Sequence, residues 1–356
     1  MFELKEHLRA LVECHAPSGH EGPLRALLRE AWGPLVDELT MDGLGSLIAT
    51  RRPTRDGQPA LRIMLAAHMD EIGLMVREVV DGFLSVQRIS GVDNRVMPAQ
   101  AVLVHGRRPL PGVVASKPPH MLPVAEREQY PAMDELLVDV GLEAAEVAEL
   151  VQPGDLITQD APMIELRNGL LAGKAMDDRA SLAAISVCLQ QLATLQHAHE
   201  VCAVATAQEE TGLLGARTAA WRVRPELAIA LDVNFAQQPG VEADFGVEPG
   251  KGPSIASGPN FHPALAEALR SVARRHDIPF QDDLVPGASG TDAWAIQVAR
   301  DGIPSALLGI PVRNMHSPVE TLDPRDIERA GRLLAHFCAE VAGDFLEAAA
   351  GEGADS

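Results

Sequence analysis

The chain has 356 residues, enough for two domains or for one large domain carrying an insertion. Its formal net charge of -20 argues against a nucleic-acid partner, which needs a basic patch, and no apolar run approaches the ~20 residues of a membrane span. With 46% hydrophobic residues but only 3% aromatics, aliphatic side chains must fill the core.

The four cysteines, Cys14, Cys188, Cys202 and Cys338, are scattered without a Cys-x-x-Cys pair. Three sit in apolar runs and read as buried reduced thiols. Met1 to Glu6 opens an amphipathic helix rather than a signal peptide, so a cytoplasmic location is expected.

Leu4 to Cys14 has helical apolar spacing, and Ala16 to Gly22 is a turn leading into a second helix from Pro23. Ser18 followed by Glu21 has the spacing of a capping box. Asp37 to Thr50 and Leu61 to Ala67 read as strands, separated by the polar turn Arg51 to Pro59. The texture then changes. Phe83 to Ile89, Ala101 to Gly106, Gly112 to Ser116, Leu136 to Val140 and Asp155 to Thr158 are short strand-like runs cut by Gly and Pro. One helical piece, Leu142 to Val151, interrupts them, and Lys117 to Pro131 reads as an exposed loop holding His120.

After Asn168, α and β alternate. Helix Arg179 to Thr194, strand Val201 to Ala207, helix Gly215 to Trp221 and strand Leu227 to Leu231 come in turn. Helix Pro263 to His276, helix Thr291 to Asp301, strand Ser305 to Ile310 and helix Pro324 to Leu346 follow, with a frayed tail after Glu347. The expected fold is therefore α/β: a doubly wound, mostly parallel sheet formed by residues 1–70 and 166–356, with a β-rich domain of residues 71–165 inserted.

Five places share one address, the end of a strand or the loop after it, where open α/β sheets keep their sites. In Ala67-His68-Met69-Asp70 a histidine ends an apolar strand, and Asp70, two residues on, points the same way to orient it. In Gly173-Lys174-Ala175-Met176-Asp177-Asp178-Arg179 two carboxylates precede a helix. One aspartate suffices for an N-cap and Arg179 can pair with it, so the second is in excess of what capping needs. In Thr206-Ala-Gln-Glu-Glu-Thr-Gly212 a buried strand ends in Glu209 and Glu210, with no Lys or Arg in the stretch to balance them. Leu227 to Leu231 runs into Asp232, and the strand ending at Ile310 delivers His316.

These side chains suffice for two divalent metal ions if Asp177 bridges them. His68 and Asp232 then complete one ion's protein ligands, and Glu210 and His316 the other's, each ion keeping an open position. An all-N/O ligand set suits zinc, cobalt or manganese. Glu209, beside a ligand but not needed as one, is placed to act as general base.

His68-Met-Asp-Glu-Ile-Gly73, Gly173-Lys-Ala-Met-Asp-Asp-Arg179, Gln208-Glu-Glu-Thr-Gly212, Ala230-Leu-Asp-Val233 and Met315-His-Ser-Pro-Val-Glu320 occur in this order. With Ser116-Lys-Pro-Pro-His120 and Ser289-Gly-Thr-Asp-Ala293, the set closely resembles the glutamyl aminopeptidase family of cytosolic di-metal peptidases, which includes the tetrahedral aminopeptidases. The resemblance implies a β-barrel-like insert serving oligomerisation, homo-oligomers of twelve subunits in a tetrahedral shell, and removal of N-terminal residues from short peptides. It implies His68, Asp177, Glu210, Asp232 and His316 as metal ligands, with Asp177 the bridge and zinc or cobalt the ions. Glu209 becomes the catalytic base, and Asp70 the residue orienting His68. A related di-metal amidohydrolase or carboxypeptidase is the alternative, since the same metals can cleave any amide.

Overall fold

The computed structural model describes residues 2–55, 61–241 and 246–352. Helices α1 (Leu4–Val12) and α2 (Gly22–Trp32) lead into strands β1 (Glu38–Met41), β2 (Leu47–Arg51) and β3 (Arg62–His68). Six strands follow: β4 (Gly73–Val80), β5 (Phe83–Ile89), β6 (Ala101–His105), β7 (Pro109–Ala115), β8 (Leu137–Asp139) and β9 (Leu156–Gln159), with α3 (Ala144–Leu150) before the last. The chain continues through β10 (Ile164–Glu165), β11 (Leu171–Gly173), α4 (Met176–Leu192), β12 (Glu200–Thr206), α5 (Leu214–Val223) and β13 (Leu227–Phe235). Then come β14 (Ser254–Ser257), α6 (Pro263–Arg275), β15 (Gln281–Leu284), α7 (Asp292–Ile296), β16 (Ser305–Val312), β17 (Glu320–Leu322), α8 (Pro324–Glu340) and α9 (Phe345–Glu352).

Eight strands form the main sheet in the order β1-β2-β12-β3-β13-β16-β14-β15. Its centre, β12-β3-β13-β16, is parallel throughout, and antiparallel pairs lie toward the two sides. The central strands are buried along almost their whole length, as parallel strands covered on both faces must be. One face packs on α1, α2, α4, α6 and α8, the other on α5 and α7. Strands β4 to β9 close into a six-stranded barrel in the order β4-β5-β8-β7-β6-β9, around its own core of Val76, Val86, Val104, Val138 and Ile157. The fold is thus the expected α/β sheet with an inserted barrel. No helix among the described residues is long and apolar enough to cross a membrane.

Several expectations need correction. Asp37 to Thr50 is not one strand but the hairpin β1–β2, turned by Asp42, whose Oδ1 accepts hydrogen bonds from the Leu44, Gly45 and Ser46 amides. The strand read as Leu227 to Leu231 continues to Phe235, so Asp232 lies inside it. The helix expected over Thr291 to Asp301 stops at Ile296. Strands β4, β10, β11, β14, β15 and β17 were not foreseen. The tail expected to fray after Glu347 is helical to Glu352, while residues 353–356, like 56–59 of the expected turn, lie outside the described residues.

Candidate active site

The parallel centre of the sheet brings the predicted residues to one edge. Thr206 at the end of β12 pairs with His68 at the end of β3. Ala230 of β13 pairs with Ala66, so two residues on Asp232 comes level with His68. The remaining two residues are clipped together by the small sheet β10-β11-β17, in which Gly173 faces Glu320. Glu320 accepts hydrogen bonds from the Asp177 amide (3.0 Å) and the His316 amide (2.7 Å), fixing both loops on one carboxylate. Ala175, Gln208 and His316 have positive φ near the site, the backbone strain that packed functional loops hold in place.

Asp177 stands between the two histidines. Its Oδ1 lies 3.0 Å from His68 Nε2 and its Oδ2 lies 3.2 Å from His316 Nε2. Glu210 Oε1 is 3.5 Å from the same His316 nitrogen, and Glu209 Oε2 is 3.9 Å from His68 Nε2. Two overlapping groups could hold metal: His68, Asp177 and Glu210, and His68, Asp178 and Asp232, each with ligand atoms within 4.8 Å of one another. All seven predicted site residues are therefore brought together, and Asp178 joins them. Asp178 Oδ1 is buried with no hydrogen-bond partner among the described residues. Arg179 does not pair with either aspartate: it donates to the Leu11 and Cys14 carbonyls and approaches Glu71.

Asp70 contacts more than His68. The nearest acceptor to His68 Nδ1 is the Asp70 main-chain oxygen at 3.0 Å, and its carboxylate stands off at 3.6 Å. That carboxylate instead accepts hydrogen bonds from the amides of Glu209 (3.0 Å) and Glu210 (3.1 Å), and from Ser18 Oγ (2.6 Å). Ser18 and Glu21 consequently do not form a capping box. Glu21 accepts from the Gly19 and Gln208 amides and so braces the glutamate loop from below. The barrel reaches the site as well: Ser90 Oγ donates to Glu210 Oε2 at 2.7 Å, and a Cβ at Gly91 would meet His316 Nδ1 at 2.2 Å. Motif residues Glu71 and Lys174 form a buried ion pair at 2.7 Å. In the Ser289 to Ala293 motif, Asp292 is buried and takes a hydrogen bond from Thr206, while Ser289 and Thr291 line the cleft.

The electrostatics show what this donor set needs. Burial, then the charges of Asp232, Asp292 and Glu210, push the Glu209 carboxyl up to about 10. Burial and neighbouring carboxylates likewise raise Asp178, Asp232 and Glu210. Burial opposes a charge on His68, but Glu209, Asp177 and Asp70 outweigh it and hold the imidazole well above its ordinary value. The Asp177 contact, helped by Glu210, takes His316 up to about 9. Burial also opposes a charge on Asp177, yet the two imidazoles outweigh it and hold its carboxyl well below the usual range. So many buried carboxylates in one place call for more positive charge than the two imidazoles supply. Divalent cations supply that charge, and the all-N/O donors fit such ions.

The chain is 37% identical over 338 residues to the lysyl aminopeptidase of Pyrococcus furiosus, covering 92% of this chain and 94% of that protein. Its structure matches the TET aminopeptidase of a marine sediment archaeon, Thaumarchaeota archaeon SCGC AB-539-E09, with TM-score 0.91 at 32% identity, over 97% and 98% of the two chains. It also matches the Pyrococcus horikoshii TET1 peptidase, which can assemble into a tetrahedron or a large octahedral shell, with TM-score 0.84 at 29% identity over 95% and 100%. Residues 45–333 match the M42 glutamyl aminopeptidase family, and the chain belongs to that family of aminopeptidases.

Proposed function

We propose that the protein is a two-metal aminopeptidase that removes N-terminal residues from short peptides, with His68, Asp177, Glu210, Asp232 and His316 as metal ligands and Glu209 as general base. The observation that carries this reading is Asp177 lying between two histidines with one oxygen toward each. Zinc or cobalt fits the donors best, and manganese is compatible. When bound, the two ions would polarise the scissile carbonyl and make water a nucleophile at neutral pH.

The chain's own residues do the rest. Asp177 joins the two halves of the donor set, and Glu320 holds its backbone in place. The Asp70 carboxylate grips the Glu209 and Glu210 amides together, so both side chains are set by one anchor. Ser90 occupies one oxygen of Glu210, leaving the other toward His316. Glu209 is nearly buried and makes no salt bridge to Lys or Arg among the described residues. It takes a proton from the attacking water at its carboxylate and returns it to the leaving amine nitrogen.

The assignment of residues 1–70 and 166–356 to catalysis and 71–165 to oligomerisation is part of this proposal, as are a tetrahedral dodecamer and a cytoplasmic location. The tetrahedral form of the P. horikoshii relative and a similar structure, PhTET1-12s, described as a dodecamer, support this assembly, and four cysteines without disulfides support a reducing compartment.

Aminoacyl-anilides assayed after chelation and readdition of zinc, cobalt or manganese test the activity. Cleavage should vanish with the metal and return with it, and failure on every unblocked substrate would sink the reading. N-acetylation of a cleaved peptide should abolish turnover. Retention would favour a carboxypeptidase or a wider amidohydrolase. In Glu209→Gln, activity should fall by a factor of about 100 or more with metal content near two per chain. Surviving activity would remove Glu209 as the base.

A further inference from the structure

Resting on the aminopeptidase reading, we infer that Asp283 selects peptides whose first residue is basic, Lys or Arg, by receiving that side chain's cation in the cleft beside the metal ligands.

A cleft of about 430 Å³ opens from His68, Asp177 and Asp232 toward β15. Asp232 and Asn234 lie two residues apart on β13 and so face the same way, about 7 Å apart. Asn234 is held rigidly. Its Nδ2 donates to Ser254 Oγ (2.8 Å) and to Asp283 Oδ2 (3.1 Å), and Gly309 leaves it room, since a Cβ there would lie 2.9 Å from the Asn234 side-chain carbon. Asp283 is therefore held in the cleft that contains His68, Asp177 and Asp232, fixed by an Asn234 that faces the same way as Asp232.

The adjacent carboxylates of β15 have different fates because successive strand residues face opposite sides. Asp282 is exposed and pairs with Arg270 at 2.7 Å. Asp283 lines the cleft, and among the described residues it forms no ion pair with Lys, Arg or His. Its only side-chain partner there is the neutral Asn234 amide, and its Oδ1 takes no hydrogen bond. None of the described residues lining the cleft is Lys or Arg. An acidic first residue would meet Asp283 without a counter-charge. An aliphatic one would leave the carboxylate with its amide contact alone.

A lysine or arginine meets both parts of the cleft. Phe235, Val285 and Met315 line it and can cover an aliphatic stem, while Asp283 accepts the ammonium or guanidinium. No covalent step is altered: the selection is in binding and alignment of the substrate.

The test uses the metal-loaded full chain with Lys-, Arg-, norleucyl-, Leu- and Glu-anilides. kcat/KM for Lys and Arg should exceed that for norleucine several-fold and that for Glu by about tenfold or more. Asp283→Asn should lower the Lys-to-norleucine ratio by about tenfold, and Asp283→Lys should raise the Glu-to-Lys ratio. Asp282→Asn, on the same strand, should leave the Lys-to-norleucine ratio as in the wild type. A second readout avoids turnover: lysinamide should raise the unfolding temperature more than norleucinamide, and Asp283→Asn should erase the difference. If substrates are cleaved without a basic preference, or Asp283→Asn lowers all of them equally, the inference is overturned while the aminopeptidase reading stands. If no anilide is cleaved, both fall.

Discussion

Asp70 illustrates how one side chain can serve several others. Its carboxylate holds the amides of Glu209 and Glu210 and the Ser18 hydroxyl, so an amide in its place would turn one acceptor into a donor facing a backbone N–H. We expect Asp70→Asn to lower kcat by about ten- to a hundredfold with little change in KM, because it displaces the glutamates rather than the substrate. The buried Lys174–Glu71 pair joins two motifs, and Glu71 also takes a hydrogen bond from the Ala16 amide. Lys174→Met should cost about 3–5 kcal/mol in urea unfolding, since it leaves Glu71 buried with only Arg179, 3.7 Å away, as a cation. His7 is different: burial lowers its imidazole to about 4. Ser186 Oγ donates to the Leu182 carbonyl, so it accepts the His7 Nε2 proton as well as that of Trp32. The unfolded chain binds a proton on His7 near pH 6.5 and the folded one does not until about 4. Stability from this residue is therefore full above 6.5 and is lost as the pH falls toward 4. In His7→Gln, which can still donate to Ser186, the slope of unfolding free energy across that window should shrink.

At the scale of elements, close backbone approaches set the positions of the helices behind the site. Gly331 of α8 lies on α4, where a Cβ would stand 2.6 Å from the Ala184 carbonyl oxygen and from Val187 Cβ. Helix propensity alone would make Gly331→Ala stabilising by up to ~1 kcal/mol. The clash should reverse the sign and destabilise by about 1–3 kcal/mol, read as a lower denaturant midpoint. Sequence patterns were clearest for such elements when their apolar run was long. α4, α8 and β3 were legible, because burial on a face or all round leaves an unbroken signature. β15 was not: Gln281 to Leu284 is polar and half exposed, and its pairing with β14 is decided by a partner remote in the chain. The Ser18–Glu21 spacing matched a cap but was spent on Asp70 and the Gln208 loop, a tertiary contact overriding a local one.

For the whole molecule, several buried carboxylates share one site, so under the proposed two-metal reading removal of the ions should loosen the end of the sheet that carries them. Chelation should lower the unfolding temperature, and zinc or cobalt should restore it, with about 2.7 kcal/mol gained at metal concentrations a hundredfold above the dissociation constant. Native mass spectrometry should show a particle of twelve times the 38.0 kDa chain mass. A larger multiple would point to another closed shell, and a monomer would overturn the proposed assembly.

The sequence by itself determined the class of fold and the neighbourhood of the chemistry. Alternating apolar strands and helices require a covered parallel sheet, and His68, Asp177, Glu209, Glu210, Asp232 and His316 stand where such strands end or nearly end. Only the tertiary structure decided how those residues divide the work. Asp177 falls between the histidines because β11 and β17 are clipped together, Asp70 turns its carboxylate on the glutamate loop, and Ser90 and Gly91 arrive from the barrel. Asp282 and Asp283 are chemically identical neighbours, separated only by the pleat that sends one to Arg270 and the other to the cleft. Local spacing cannot encode such distinctions, because each depends on which distant backbone lies across the sheet.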